Sequence, residues 1–163
     1  MNYEFVDLSL NDRKDVLAIF NYYVETSFAA FPDEPVGDEF FERLLVLRRG
    51  YPALAIRAEG RTVGFILLRA YHWAATFRKT AEVTYFLKPE HTGQGAGAHA
   101  LELVSEAARK MGIENLIATV SSRNEPSLQF HRHAGFQSCG RLRSVGTKFG
   151  QDFDVVLFQK RLI

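Results

Sequence analysis

Residues 82–97 read Glu82-Val83-Thr84-Tyr85-Phe86-Leu87-Lys88-Pro89-Glu90-His91-Thr92-Gly93-Gln94-Gly95-Ala96-Gly97, and an alanine-rich segment then continues to Met111. The apolar residues before the proline predict a β-strand that ends there, because proline cannot donate a hydrogen bond to a sheet. The glycines allow the backbone to approach a ligand closely, and the helix that follows directs N–H groups and a partial positive charge towards it. This stretch therefore predicts a strand, an anion-binding turn and a helix.

The chain before this stretch predicts a strand, two helices and a hairpin. Apolar residues recur at helical spacing over residues 12–26 and 38–49, and Glu59-Gly60 separates two apolar runs that are typical of antiparallel strands. Four predicted strands thus precede the glycine turn: 3–8, Ala53–Ala58, 61–71 and Thr80–Leu87.

The chain after the stretch predicts three more strands and one more helix. Residues 116–120 form a short apolar run, and a strand, helix and strand in this order indicate a right-handed parallel crossover. Pro126 suits the first turn of a helix. Residues 137–145 and 153–161 predict a closing hairpin around a turn at 146–150. The fold class is therefore α/β (α+β), with a mixed, mostly antiparallel, seven-stranded sheet, a parallel pair at its centre and about four helices.

Length and composition indicate one soluble domain spanning residues 1–163. The net charge of +1 gives no reason to expect nucleic acid or an anionic membrane as a partner, and no apolar run is typical of a membrane span. The single cysteine, Cys139, cannot form an internal disulfide, which favours a reducing cytoplasm. His131 and His133 lie near Cys139 without a second ligand cluster, so we expect no metal site.

Glycine-rich turns between a strand and a helix bind phosphate in several folds. A P-loop needs Gly-Lys followed by Ser or Thr, which is absent here. A dinucleotide-binding fold places its glycines after the first strand, whereas four strands come before this turn. The remaining interpretations are a pyrophosphate site on a mixed sheet and a turn that serves only chain geometry.

Three spaced motifs resemble the GCN5-related N-acetyltransferase (GNAT) superfamily over almost the whole chain. The family loop has the form Gln/Arg-x-x-Gly-x-Gly/Ala, which residues 92–97 match except that Thr92 stands at the Gln/Arg position. Asn124-Glu125-Pro126-Ser127 resembles the family's Asn-x-x-Ser, and the following segment ends in Gly135-Phe136 as in the family. The resemblance implies an acetyl-CoA-dependent N-acetyltransferase whose sheet splays where the two parallel strands separate.

Within that superfamily the chain is most similar to the phosphinothricin and methionine sulfoximine acetyltransferase group. Residues 80–85 resemble that group's strand motif, residues 140–150 resemble its Gly-x-Leu-Arg-x-Val-Gly-x-Lys-Phe-Gly motif, and Asp154 also fits. Members of this group are often dimers, so the resemblance implies a possible homodimer, for which the closing hairpin is the candidate surface.

The resemblance assigns acetyl-CoA to the glycine turn and to the strand before it. The backbone N–H groups of residues 94–98 are expected to bind the pyrophosphate, and the backbone of residues 85–87 is expected to pair with the pantetheine amides. Asn124 and Ser127 are expected to contact the other side of the cofactor or, alternatively, to cap a helix. The full set of candidate cofactor-binding residues is Tyr85, Phe86, Leu87, Thr92, Gly93, Gln94, Gly95, Ala96, Gly97, Ala98, Asn124 and Ser127.

Two residues are candidates for catalysis. Glu82 is the candidate general base for the acceptor amine, and its alternative role is an ion pair with Arg78 or Lys79. His131 stands where many superfamily members have a tyrosine, so it is the candidate proton donor to the CoA thiolate; its alternative role is packing.

The acceptor site is predicted from aromatic residues in loops and at strand ends. Phe31, Trp73, Arg78 and Thr84 are its candidate residues; Phe28, Tyr71 and Phe77 are further aromatics that either line the site or fill the core. The related group commonly has an arginine after the tryptophan, but this chain has Trp73-Ala74-Ala75. A bidentate carboxylate anchor is therefore expected to be missing at that place.

These observations predict transfer of an acetyl group from acetyl-CoA to the primary amine of a small, amino-acid-like or other molecule. Two alternatives remain open. One is an acyl-CoA-binding regulatory module without turnover, and the other is acetylation of a protein N-terminus or lysine. The second alternative needs an open groove, which depends on where the loop at residues 27–36 lies.

Overall fold

The computed structural model describes all residues from 1 to 163, and its elements follow the order predicted from the sequence. Short 3-10 turns occur at Leu10–Asp12, Ala75–Phe77 and Pro89–His91. The strands are β1 (Glu4–Asp7), β2 (Ala53–Ala58), β3 (Arg61–Ala70), β4 (Thr80–Leu87), β5 (Asn115–Ser121), β6 (Gln137–Lys148) and β7 (Gln151–Arg161). The helices are α1 (Arg13–Thr26), α2 (Asp38–Leu47), α3 (Ala96–Lys110) and α4 (Glu125–His133).

All seven strands form one sheet in the order β1-β2-β3-β4-β5-β7-β6. Every neighbouring pair is antiparallel except β4 and β5, which run parallel. This confirms the predicted mixed sheet with one central parallel pair. None of the helices is long and apolar enough to cross a lipid bilayer.

The parallel pair separates soon after it forms. β4 and β5 are paired only from Thr80–Asn115 to Glu82–Ile117. Beyond that point β4 stays paired with β3 as far as Leu87, while β5 stays paired with β7 as far as Ser121. The sheet therefore splits into two arms, which confirms the predicted splay and places Glu82 at its vertex.

Two apolar cores cover the two faces of the sheet. One core lies under α1 and α2 and includes Phe41, Phe65 and Leu67, which are essentially inaccessible to solvent. The other lies under α3 and α4, where Val104 and Phe158 are equally buried. Burying a side chain of this size contributes about 1.5–3 kcal/mol relative to leaving it in water, so both helical layers are tightly fixed to the sheet.

The closing hairpin is longer than the sequence indicated. The predicted turn at 146–150 is wrong in extent, because the strands continue to Lys148 and from Gln151, leaving a turn of Phe149 and Gly150. Gly146 stays in β6 opposite Phe153. A Cβ atom at Gly146 would overlap the Phe153 ring, so the glycine allows a close contact between the two strands.

A bulge interrupts β6, the strand at the edge of the sheet. Residues 143–145 lie between the pairs Leu142–Val155 and Gly146–Phe153, so three residues of β6 oppose Asp154 alone. The Asp154 carboxylate accepts hydrogen bonds from the Ser144 N–H at 2.7 Å and from Arg141 Nε at 2.6 Å. These bonds, that from Ser144 first, hold the pKa of the Asp154 carboxyl below its usual range and fix the bulge.

Candidate active site

The glycine turn presents a row of free backbone donors at the end of β4. The N–H groups of residues 93–98 have no hydrogen-bond acceptor within the protein, and the first backbone bond after them runs from the His99 N–H to the Gly95 oxygen. Gly93 and Gly95 have φ angles of 73° and 88°, a region that other residues rarely adopt. This turn at the start of α3 is therefore suited to bind an anion with several oxygen acceptors.

Side-chain hydrogen bonds stabilise the glycine turn. Thr92 Oγ1 donates to the Pro89 oxygen at 2.7 Å, and Gln94 Nε2 donates to the Glu90 oxygen at 2.9 Å. The Tyr3 hydroxyl donates to Gln94 Oε1 at 3.0 Å, which fastens the N-terminal segment to the turn. Thr92, which departs from the family motif, thus stabilises the backbone that carries the free N–H groups.

The edge of β4 that faces the splay also offers backbone groups. The Lys88 N–H bonds to the Val63 oxygen on the β3 side. Because bonding directions alternate along an antiparallel pair, the polar groups of Phe86 point to β3, and those of Tyr85 and Leu87 point into the splay. Of the three residues predicted to pair with pantetheine, only Tyr85 and Leu87 present their backbone in that direction.

Tyr23, on α1, was not a candidate from the sequence but lies at the same edge. Its hydroxyl donates to the Leu87 oxygen. Burial, followed by the neighbouring Tyr22 and Glu90, raises the pKa of Tyr23 to about 12, so the hydroxyl stays protonated at neutral pH. One of the two Leu87 backbone groups is therefore already bonded within the protein.

His131 is buried and bonded on both ring nitrogens. Nδ1 lies 2.7 Å from the Ser127 carbonyl oxygen, which can only accept, so Nδ1 carries the proton. Nε2 then accepts from the Tyr85 hydroxyl at 3.0 Å. Burial lowers the pKa of His131 and raises that of Tyr85, which favours the neutral form of both groups. The ring also stacks on Phe158 at 5.2 Å, so packing accounts for its position.

Asn124 and Ser127 lie at the start of α4, beside His131. Asn124 Oδ1 accepts a hydrogen bond from the Ser127 N–H at 3.3 Å, as expected for a helix N-cap. The Ser127 hydroxyl lies 3.3 Å from His131 Nδ1. Capping is thus confirmed for Asn124 and not for the Ser127 side chain, and a contact of either residue with a cofactor stays a prediction.

Glu82 pairs with a residue that the sequence analysis did not consider. Arg69 lies directly opposite it on β3, and its Nη2 atom is 3.3 Å from Glu82 Oε2. The predicted alternative partners are engaged elsewhere: Lys79 pairs with Glu114 at 3.2 Å, and Arg78 contacts the Ala75 oxygen at 3.5 Å. Arg69 Nε is buried without a partner. The register of the β3–β4 hairpin was the signal that could have identified Arg69.

Alternation along β4 divides the candidate residues between the two faces of the sheet. Phe86 contacts Phe20 and Phe65 in the core under α1 and α2, so Glu82 and Thr84 face the same layer. Tyr85 faces α4, where it contacts His131. The candidate base therefore lies on the α1–α2 face, opposite the Tyr85–His131 pair.

The predicted acceptor-site aromatics fall into two separate clusters. Phe28 and Phe31 contact Phe149 and Phe153 of the closing hairpin. The second cluster comprises Tyr71, His72, Trp73 and Phe77 in the β3–β4 connection, beside Arg78. None of the five predicted aromatics is buried, and Trp73 is 90% exposed, so they do not fill the core.

The chain is similar to known acetyltransferases over most of its length. The model of the acetyltransferase (GNAT) family matches residues 16–136. An L-methionine sulfoximine/L-methionine sulfone acetyltransferase of Pseudomonas paraeruginosa is 30% identical over 96% of this chain and 92% of its own length. A phosphinothricin N-acetyltransferase of Alcaligenes faecalis is 34% identical over 93% of this chain and 79% of its own length.

A solved structure of another protein is similar to this chain over nearly its whole length. The crystal structure of a ribosomal-protein-alanine N-acetyltransferase from Brucella melitensis superposes with a TM-score of 0.89 and 31% identity, covering 97% of this chain and 99% of that one. The relatives thus include proteins named for small amino-acid-like acceptors and one named for a protein acceptor.

Proposed function

The chain belongs to the acetyltransferase (GNAT) family, and from that membership we propose an acceptor class and a role for each candidate residue. It is an acetyl-CoA-dependent N-acetyltransferase. We propose that its acceptor is the primary amine of a small, amino-acid-like molecule, as the names of two relatives at 30% and 34% identity suggest. The single observation that carries the cofactor part is the row of free N–H groups at residues 93–98, next to the splayed end of β4.

The residues present fit acetyl-CoA. We assign the N–H groups of residues 93–98 to the pyrophosphate, because a helix start with left-handed glycines favours a doubly charged anion. Tyr85 and Leu87 are assigned to the pantetheine amides through the backbone groups that point into the splay. Asn124 and Ser127 line the opposite arm and are proposed to contact the same cofactor.

Glu82 is the proposed general base. The amine nitrogen attacks the thioester carbonyl carbon, the new C–N bond replaces the C–S bond, and the amine proton passes to the Glu82 carboxylate directly or through a water. The position of Glu82 at the vertex of the splay supports this role, because an amine on the α1–α2 face and a thioester between the two arms meet there. Arg69 is proposed to orient the carboxylate.

The leaving thiolate takes up one proton when CoA departs. His131 Nδ1–H is donated to the Ser127 oxygen and Nε2 accepts from the Tyr85 hydroxyl, so neither group has a free proton for the thiolate. We therefore propose that His131 holds Tyr85 in place, and that the proton taken up by Glu82 from the amine passes to the thiolate directly or through a water.

A screen of amines tests the proposal. CoA release is followed with acetyl-CoA and a panel containing phosphinothricin, L-methionine sulfoximine, the L-amino acids and their decarboxylated analogues. The expected result is CoA release with one amine class and an equal amount of N-acetyl product by mass spectrometry. Binding of acetyl-CoA by calorimetry without CoA release for any amine would instead support a regulatory binding module.

A second candidate function is acetylation of a protein N-terminus. The relative named as a ribosomal-protein-alanine N-acetyltransferase, at 31% identity, favours it. A short peptide that begins with alanine, added to the same panel, separates the two. A higher kcat/KM for the peptide than for every small amine would establish the protein acceptor.

We also propose that the protein is a cytoplasmic homodimer that binds neither nucleic acid nor membrane. The lone Cys139 and the net charge of +1 support the compartment and the partners, and the closing hairpin is the proposed dimer surface. Light scattering coupled to size-exclusion chromatography tests the assembly, and a mass of one chain at all concentrations would contradict it.

A further inference from the structure

Residues 27–36, between α1 and α2, form a segment that we call the strap. Its base is closed by Asn21 of α1, whose side-chain amide donates to the Val36 oxygen at 2.9 Å and accepts from the Val36 N–H at 2.8 Å. The strap is therefore held at its α2 end by two hydrogen bonds that do not depend on the rest of the site.

The other end of the strap is held by a buried lysine from the closing hairpin. Lys148 Nζ donates to the Ser27 and Ala30 carbonyl oxygens, each at 2.7 Å. Lys148 is 3% exposed. These are the only hydrogen bonds between the hairpin and the strap, and they join residues 118 and 121 positions apart.

Aromatic contacts also hold the strap against the closing hairpin, close to Lys148. Phe31 stacks on Phe153 with ring centres 5.9 Å apart, and Phe28 meets the edges of Phe149 and Phe153. Arg123, from the β5–α4 turn, lies 5.5 Å above the Phe28 ring. The strap therefore contacts three segments that all belong to the β5 arm of the splay.

The strap bridges the two arms of the splayed sheet on the face that carries Glu82. Helix α1, from which it leaves, packs on β3 and β4 and bonds to Leu87 through Tyr23. The hairpin tip extends beyond the last β5–β7 pair at Ser121–Val155. Because Glu82 and Thr84 face the α1–α2 layer, the strap crosses the open end of the splay on their side.

Burying the charged Lys148 side chain costs free energy. Two carbonyl oxygens replace its water shell, and no carboxylate lies within ion-pair distance. Burial lowers the pKa of Lys148, and Asp33 on the strap acts against that effect. Apolar residues often replace buried charges at no cost in stability. The presence of an ammonium group here therefore indicates that it serves to hold the strap in one position.

We propose that Lys148 is a positioning residue that holds the strap across the acceptor side of the splay, so that the site admits small amines and excludes the terminus of a folded protein. This inference rests on the proposed acetyl transfer. In this role the ammonium group contacts neither acceptor nor cofactor. It fixes the strap across the two arms, and the space beneath the strap limits the size of the acceptor.

The test compares Lys148→Met with the wild-type enzyme, using the best small amine of the panel and the alanine peptide as acceptors. Lys148→Met keeps an unbranched side chain as far as the ε position and removes the ammonium group with both of its hydrogen bonds. The expected result is a KM for the small amine about tenfold higher, with a KM for acetyl-CoA changed by less than about twofold, because only the acceptor side loses its cover. The preference for the small amine over the peptide should fall by about the same factor.

Two further variants guard the interpretation. Phe28→Ala releases the strap from the same hairpin without altering a buried charge, and it should shift the amine KM in the same direction even if Lys148→Met fails to fold. Lys79→Met is the matched control, since Lys79 forms an exposed ion pair with Glu114 and should leave every constant unchanged.

The outcomes separate this inference from the proposed function. An active wild-type enzyme whose Lys148→Met and Phe28→Ala variants keep the wild-type amine KM would overturn the role of the strap. Equal losses for amine and acetyl-CoA would also overturn it, because they indicate general damage. A wild-type enzyme that releases no CoA with any acceptor would refute the proposed function instead.

Discussion

The proposed cofactor side and the proposed acceptor side of this site are built by different means. On the cofactor side, the free N–H groups of residues 93–98 and the backbone of Tyr85 and Leu87 come from one continuous stretch of chain. On the acceptor side, Glu82, Arg69 and the strap come from three separate segments, and Lys148 reaches the strap from a fourth.

The difference shows which parts of a site can tolerate a change of side chain. Backbone donors need only the right φ and ψ angles, so many side chains are acceptable around them, as Thr92 illustrates. Side-chain groups must be brought together by the fold, so each depends on neighbours far away in the sequence. Substitutions on the two sides should therefore affect different kinetic constants.

The largest effect is expected from Glu82→Gln on the acceptor side. The amide cannot accept the amine proton, so kcat should fall about a hundredfold while the KM for acetyl-CoA stays within about twofold. Steady-state kinetics with saturating amine measures this. Glu114→Gln, at an exposed ion pair, is the control. An unchanged kcat for Glu82→Gln would remove Glu82 from the mechanism.

The matching change on the cofactor side is Gly95→Ala. Its φ of 88° is strained for alanine, so the turn should shift and the KM for acetyl-CoA should rise about tenfold. The amine KM should stay near the wild-type value. Gly37→Ala is the control, because Gly37 has no positive φ and no atom near its missing Cβ. A Gly95→Ala enzyme that binds acetyl-CoA normally would show that these N–H groups do not hold it.

A smaller effect is expected from Arg69→Met. The Glu82 carboxylate loses its ion-pair partner but keeps its place on β4, so kcat should fall about fivefold through poorer orientation. Comparison with Glu82→Gln sharpens the assignment, and a loss as large as that of Glu82→Gln would indicate that Arg69 itself contacts the reacting groups.

The smallest expected effect concerns His131, a side-chain group on the cofactor side. Its pKa in the folded protein lies below the ordinary value of 6.5, so the unfolded chain binds the proton more readily. The free energy of unfolding should therefore decrease as the pH falls below about 6.5, by at most about 1.4 kcal/mol per pH unit. Urea unfolding at several pH values measures the slope.

The variant His131→Gln should reduce this slope, whereas His133→Gln, at an exposed ring, should keep it. An unchanged slope in His131→Gln would show that other groups cause the loss of stability in acid.

The sequence predicted the strand, the glycine turn and the helix of the proposed cofactor side closely, because their signals are local. Glycine spacing, Pro89 and the apolar run of β4 lie within a few residues of one another, and the parallel crossover followed from the order of elements. The contacts on the proposed acceptor side could not be predicted from local sequence. The Glu82–Arg69 pair depends on strand register, and the Lys148–Ser27 contact depends on how the hairpin tip meets the loop after α1.

Local sequence signals also did not predict the length of the closing hairpin. Gly146 predicts a turn by composition, but its role is to accept the Phe153 ring in the middle of a pair of strands. Likewise, the aromatics at 28, 31, 71, 73 and 77 are similar by type, and only the fold separates them into two clusters.

The bulge in β6 has a consequence for self-association. A regular edge strand of this length would present an unbroken row of N–H and C=O groups, which is a template for adding strands of other molecules. The three residues 143–145, fixed by Asp154, interrupt that row and place Arg143 in it. A deletion that makes β6 continuous should therefore promote aggregation, and the proposed dimer is expected to form through side chains of the hairpin and not through a shared sheet.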